Sequence, residues 1–222
     1  MDKNSNESLV QSSYDRLKDA IITGAFSPGE KLNIEKLKNY LGIGPTPIRE
    51  ALSRLTATDL VVAAPNRGFY VKEVTLEEVQ DIYSTFLKIE LLALKDSMQA
   101  GDASWEASII AALYKLSLVE KSASVIFEDW IKANYEFHYA LISGCKSPTL
   151  LKIRDQLYQR FDRYCRLSIL GKKGAFSANL KEHEEIAKAV ISRDVEKAEK
   201  LMHRHLDASL KQVIEKLKKL TS

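Results

Sequence analysis

Four histidines fall between positions 138 and 205 of this 222-residue chain, and helical periodicity sorts them. His138 shares a face with Ile131, Asn134 and Leu141. His183 lines up with Ile186, Ala187 and Val190, and His205 with Leu201, Met202 and Ala208. Each of these faces is apolar and must turn into a core. His203 lies about 200° around the helix from His205 and reads as exposed. A buried imidazole needs a partner. For any single one, a satisfied core histidine is the simpler reading; three on converging faces favour a shared divalent cation. Asn134 precedes His138 by four residues, so both project to the same side and its carbonyl oxygen is a further donor. Such a donor set suits zinc, nickel, cobalt or manganese and does not choose among them.

A second stretch, Gly42-Ile43-Gly44-Pro45-Thr46-Pro47-Ile48-Arg49-Glu50-Ala51-Leu52, reads as a tight turn opening into a nucleic-acid recognition helix. Gly42 ends a preceding helix at positive φ. Thr46 is placed as N-cap and Pro47 as the first helical residue, where its missing N–H costs nothing. Ile48, Ala51, Leu52 and Leu55 share the inward face. Thr46 and Arg49 are then offered outward in the first turn, with Arg54 on the flank, suited to phosphate and base-edge contacts in a major groove. An ordinary surface helix with two arginines has the same composition, so the flanking sequence decides.

Those elements fit a protein of one large or two small domains. Apolar residues make up 45% and charged residues 28% of the chain, ordinary globular values. No apolar run approaches the ~18 residues of a membrane span, and Met1 to Glu7 is too polar for a secretory signal. Cys145 and Cys165 form no CxxC pair and read as buried thiols of a cytoplasmic protein. The net charge of +3, and nine Lys/Arg against seven Asp/Glu over residues 10–74, are too mild to imply DNA. A DNA argument rests on placement.

In chain order, residues 1–9 read as a mobile tail. Val10, Tyr14, Leu17 and Ile21 mark a first helix ending near Gly24; Asn33 caps a short second helix carrying Leu37, Tyr40 and Leu41. After the recognition helix, Val61–Ala64 and Phe69–Val71 flank the turn Pro65-Asn66-Arg67-Gly68 as a β-hairpin. Residues 10–74 thus read as a winged helix-turn-helix. Residues 75–222 carry six helical patterns and no strand signal, the expectation being an antiparallel six-helix bundle. Thr75 caps the first, with Leu76, Val79, Ile82, Phe86, Ile89 and Leu92 as its inner stripe; the others run near 104–119, 127–143, 148–171, 180–192 and 195–220, with Gly171-Lys172-Lys173-Gly174 as a loop. The fold class expected is mainly α.

The chain resembles the GntR family of bacterial transcriptional regulators, in the FadR-like class with an all-helical, FCD-type ligand-binding domain. The resemblance rests on Ile22-Thr23-Gly24, Pro28-Gly29-Glu30, Leu41-Gly42-Ile43, Thr46 to Leu52 and Pro65-Asn66-Arg67-Gly68 in the first part. In the second it rests on Asn134-Tyr135-Glu136-Phe137-His138, Glu182-His183 and His205-Leu206. The Gly-Pro-x-x-Arg-Glu-Ala-Leu wording, Trp105-Glu106-Ala107 and Gly144-Cys145-Lys146-Ser147 look most like the carbon-starvation-induced, glutarate-responsive branch.

The resemblance implies DNA contacts at Arg49, Arg67 and Gly68, with Thr46 and Arg54 beside them. It implies a divalent cation held by a D-x3-H motif and two later histidines, here Asn134, His138, His183 and His205, with asparagine replacing the aspartate. In the family, open coordination positions accept water or an effector carboxylate. Arg160, Arg163 and Tyr164, on the fourth bundle helix, are candidates for contacting such an effector; a solvated basic face is the competing reading. Two departures are Pro45 and Phe86, where relatives often place arginines.

The expected function is a cytoplasmic, metabolite-responsive repressor acting as a homodimer on double-stranded operator DNA, since two-fold operators need paired recognition helices. The competing class is a metal-dependent hydrolase using the three-histidine site. Glu184 and Glu185, beside His183, are its nearest general bases by sequence, and their positions point to solvent.

Overall fold

The structure, a computed structural model, describes residues 3–122, 127–169 and 180–221. Its order is α1 (Lys3–Ile22), α2 (Ile34–Leu41), α3 (Pro45–Thr56), β1 (Val61–Ala64), β2 (Gly68–Val71), α4 (Leu76–Ala100), α5 (Ala103–Glu120), α6 (Phe127–Ile142), α7 (Pro148–Ile169), α8 (Leu180–Ile191) and α9 (Val195–Thr221). The chain forms two compact units. Met1–Val79 and Gln159–Leu170 make the first; Gln80–Tyr158 and Gly171–Ser222 make the second.

In the first unit α1 and α2 both pack on α3. Leu17, Ile21, Leu37, Leu41, Ile48, Ala51, Leu52, Leu55, Val61 and Val71 form one buried core. Asn33 caps α2 as expected, its Oδ1 accepting from the N–H groups of Glu35 (2.9 Å) and Lys36 (3.3 Å). Gly42 closes α2 at φ +73°, and its N–H donates to the Lys38 carbonyl. The cap of α3 differs from the expectation. Gly44 is the N-cap and Pro45 the first helical residue, while Thr46 lies inside the first turn and makes no cap bond. Either proline satisfies the N-terminal rule; the helix takes the earlier one and buries Pro47 against the core. α1 also begins at Lys3, so residues 3–9 of the expected tail are helical; lengthening a nucleated helix costs little.

β1 and β2 pair antiparallel with Val61 opposite Val71 and Ala64 opposite Gly68. Asn66 (φ +59°) and Gly68 (φ +96°) make the turn. Residues 30–32 add a third rung. The Val71 N–H donates to the Glu30 carbonyl and the Leu32 N–H to the Phe69 carbonyl, both at 2.9 Å.

Among the described residues six helices, α4 to α9, follow Thr75, whose hydroxyl accepts from the Glu78 N–H at 3.1 Å. Asp102 caps α5 through the Trp105 N–H (2.9 Å), and Trp105 Nε1 donates to the Ala140 carbonyl (2.9 Å), tying α5 to α6. α8 packs on both α5 and α9. The expected stripe of α4 holds through Val79, Ile82 and Phe86 and then departs, because Leu92 is exposed. The buried face continues through Glu90, Ala93, Leu94, Ser97 and Met98. A carboxylate and a hydroxyl occupy core positions there, which a pattern of apolar residues does not register. The expected loop Gly171-Lys172-Lys173-Gly174 lies outside the described residues. Among the described residues both cysteines are free, and no helix is long and apolar enough to cross a membrane.

Candidate metal centre and nucleic-acid interface

α3 buries one face completely and exposes Thr46, Arg49, Glu50, Ser53 and Arg54 on the other. Arg54 Nη2 donates to Glu50 Oε1 at 2.9 Å, so part of its charge is answered within the helix. Arg49 has no intramolecular partner among the described residues and is free for a phosphate or a base edge. Two of the four orphan N–H positions at the start of α3 are prolines, which leaves few backbone donors for a phosphate and shifts that load to side chains. At the hairpin tip, the Arg67 guanidinium lies 6.0 Å from the Tyr70 ring and Lys31 Nζ 5.9 Å from it. Lys31 is brought there by its bridge to Tyr70, and sequence reasoning missed it: its distance along the chain from the hairpin gives no signal. Gly68 takes the positive φ that the tip requires.

The histidines come together. The ring centroids of His183 and His205 are 4.8 Å apart, those of His138 and His205 5.1 Å, and those of His138 and His183 5.7 Å. One nitrogen from each ring lies within 4.8 Å of the others. They are positioned from α6, α8 and α9, and His138 and His183 are buried. Burial lowers the basicity of all three; neighbouring histidines add to it at His138 and His183, while at His205 Arg204 adds to it and Glu182 opposes it. His183 falls to about 3, and His138, which also feels Arg154, well below its ordinary value. All three are neutral at pH 7 and offer lone pairs.

Three separately satisfied core histidines do not describe this cluster. Both ring nitrogens of His183, Nδ1 of His138 and Oδ1 of Asn134 are buried with no hydrogen-bond partner. An unsatisfied buried polar atom costs about 1–3 kcal/mol, so the three on the clustered histidines mark a missing partner. Neutral imidazoles plus an amide oxygen fit a borderline divalent cation. His203 is exposed and pairs with Asp207 at 3.0 Å. Two carboxylates lie beside the cluster. Glu182 Oε2 lies 3.1 Å from His205 Nδ1, and Glu120 Oε1 lies 3.7 Å from His183 Nδ1. Glu184 and Glu185 are exposed as expected, and Glu185 pairs with Arg204.

Arg160, Arg163 and Tyr164 fall in the first unit, while the histidines fall in the second. Arg160 Nη2 binds Asp59 Oδ2 (2.7 Å) and Glu78 Oε1 (3.0 Å), and Tyr164 donates to Glu78 Oε2 (2.8 Å). Arg163 Nη2 donates to the Lys72 carbonyl at 2.5 Å. Lys72 Nζ bridges Asp59 (2.5 Å) and Glu78 (2.8 Å). Burial works against both charges. It is outweighed at Lys72 by Asp59 and Glu78, which raise its pKa, and at Glu78 by Lys72, Tyr164 and Arg160, which lower its own. The three candidate effector residues are thus partners of the first unit's own groups. The reason is that Gln159–Leu170 packs with the winged helix, a placement no amphipathic pattern discloses.

The residue beside the histidines that sequence reasoning missed is Arg154. It is fully buried, with Nε 2.6 Å and Nη2 3.1 Å from the two oxygens of buried Glu90. Its guanidinium lies 4.8 Å from the Tyr158 ring, 5.5 Å from Phe86 and 5.7 Å from Tyr135. Phe86, noted as a departure, is therefore one wall of an arginine slot.

Residues 9–71 match the family described as bacterial regulatory proteins, gntR family, and residues 81–208 match the FCD domain. The HTH-type transcriptional regulator BphR of Paraburkholderia xenovorans is 33% identical over 207 residues, covering 91% of this chain and 84% of that one. The HTH-type transcriptional repressor GlaR of Escherichia coli is 31% identical over 200 residues, covering 87% and 90%. Among solved structures, E. coli McbR/YncC superposes with a TM-score of 0.79 at 22% identity, covering 94% of this chain and 98% of that one, a likeness of fold. These families and relatives are transcriptional regulators, not enzymes. A winged helix that matches one family, six helices that match the other, and relatives spanning both make this chain a member of the GntR family of transcriptional regulators, of the kind that carries an FCD domain.

Proposed function

We propose that this regulator is a cytoplasmic repressor whose grip on its operator is set by a small carboxylate bound at a metal ion in the FCD domain. The observation that carries the reading is the set of buried, unpartnered donor atoms on Asn134, His138 and His183, which His205 completes. Asn134, His138, His183 and His205 would hold the ion, zinc, nickel, cobalt or manganese, and an effector carboxylate would take an open position. Arg154 is already neutralised by Glu90 and leaves the effector's charge to the ion. Repression is supported by the name of GlaR. Effector binding changes operator affinity only as far as it distinguishes two states of the protein.

Thr46, Arg49, Arg54, Arg67 and Gly68 are the proposed DNA contacts, with Lys31 beside the wing. A homodimer on a two-fold operator follows from the mechanism, and α5 supports it. While Trp105, Ile109, Ala112 and Leu116 of α5 are buried, Ile110, Tyr114 and Leu118 are 58%, 63% and 54% exposed at four-residue spacing. A helix apolar all round calls for a cover on its outer side, and a second copy supplies one.

The test is a selection from random duplex DNA followed by anisotropy titration. The intact chain is expected to return an inverted repeat and a steep loss of affinity with salt. Arg49→Ala should cost about 1–3 kcal/mol in operator binding, roughly 5- to 150-fold. Tyr114→Glu with Leu118→Glu should yield a monomeric mass and lose the inverted repeat. Unchanged affinity and sequence preference in the Arg49 variant would remove it from the interface, and a wild-type chain that enriches no motif would end the operator reading.

A further inference from the structure

We propose that Glu120 is the charged partner of the histidine centre: its carboxylate accepts the Nδ1 proton of His183 and supplies the negative charge that Asn134 does not. This rests on the metal reading above and concerns which residue of this chain completes it.

Glu120 is the last residue of α5, and only 1% of its side chain is exposed. One oxygen accepts from Trp130 Nε1 at 3.1 Å, and the same oxygen lies 3.7 Å from His183 Nδ1. The other oxygen is buried with no hydrogen-bond partner. Among the described residues no lysine or arginine pairs with it. A carboxylate withdrawn from water without a counter-charge is costly. It faces the histidine cluster, where, among the described residues, neutral donors gather with nothing to bind.

The chemistry of the rings gives Glu120 its role. Metal-ligating imidazoles commonly give their second nitrogen to a carboxylate, which fixes the tautomer and strengthens the ligand. His205 has this arrangement, with Nδ1 3.1 Å from Glu182. Glu120 is placed to do the same for His183, leaving Nε2 as the ligating atom. Glu182 is 31% exposed and partly screened, whereas Glu120 is shut in, so Glu120 is the charge the ion feels more strongly. A dication balanced by this one buried carboxylate and neutral donors keeps a net positive charge at its open positions. The ligand class that follows is anionic.

The experiment compares the wild-type chain, Glu120→Gln, Asn134→Asp and the double variant. Affinities for zinc, nickel, cobalt and manganese are measured by chelator competition, and thermal unfolding is measured after chelation. Glu120→Gln is expected to weaken the tightest ion by 10- to 100-fold. Its chelated form should unfold at the same temperature or higher, because the buried charge is gone. Adding Asn134→Asp should recover much of the lost affinity. Wild-type affinity in Glu120→Gln overturns the assignment, as does an affinity loss matched by a fall in the chelated melting temperature, which marks packing only. A wild-type chain that binds none of the four ions overturns the metal centre itself, and the assignment with it.

Discussion

Arg154→Ala is expected to destabilise the FCD domain by about 3–5 kcal/mol, the range for removing one partner of a buried ion pair. Arg154 is wholly buried and Glu90 is 1% exposed. Two bonds of 2.6 and 3.1 Å join them, and Asp155 takes a third at 3.1 Å. Truncation leaves the buried Glu90 carboxylate without its arginine partner. Arg154→Lys should rescue little, because an ammonium cannot reproduce the planar two-point contact or its stacking on the rings. Arg154→Met with Glu90→Met should recover most of the loss by removing both charges together. Urea unfolding followed by circular dichroism reads all three. A single alanine variant as stable as wild type would mean that Glu90 finds another partner.

The chelated protein is expected to lose stability as pH falls from about 6.5, a free histidine's pKa, toward 3. His183 is held at about 3 in the fold, and His138 and His205 also lie below their ordinary value. The folded state therefore binds fewer protons than the unfolded chain throughout this window. Stability must rise with pH there, and each histidine's contribution is fully present above the unfolded value. The slope reaches about 1.4 kcal/mol per pH unit for each histidine fully engaged. His183→Ala should flatten the curve by one such contribution while leaving the winged helix intact. An ion bound by neutral imidazoles competes with protons only at lower pH, so metal loading should shift the loss toward acid. Melting temperatures across this range, with and without chelator, check the sign; a chelated protein that gains stability on acidification would contradict it.

Much of the architecture was legible because its boundaries are written in residues with few alternatives. Gly42 and Asn33 delimit α2, the turn at Pro65 to Gly68 sets the hairpin, and Gly101, Gly144 and Pro148 separate helices. The histidines were legible because three imidazoles on apolar faces have few places to go. The start of α3 was misread by two residues because Pro45 and Pro47 fit a first turn equally well. Glu90 and Arg154 were not legible: each looks like a surface residue of an amphipathic helix until its counterpart on another helix is known. Glu120 closes a helix as glutamates often do, and only the fold brings it to His183. Arg160, Arg163 and Tyr164 read as effector contacts in the sequence because they continue a helix of the histidine-bearing domain, whereas that half of α7 packs in the first unit.

The most direct test of the account is the metal content of the intact chain, purified without chelator from metal-replete cells, beside His183→Ala prepared identically. About one divalent ion per chain in the wild type and none in the variant, with both still folded by circular dichroism, is the predicted result. Equal ion content in the two chains, or no ion in the wild type, would contradict a metal centre built on Asn134, His138, His183 and His205.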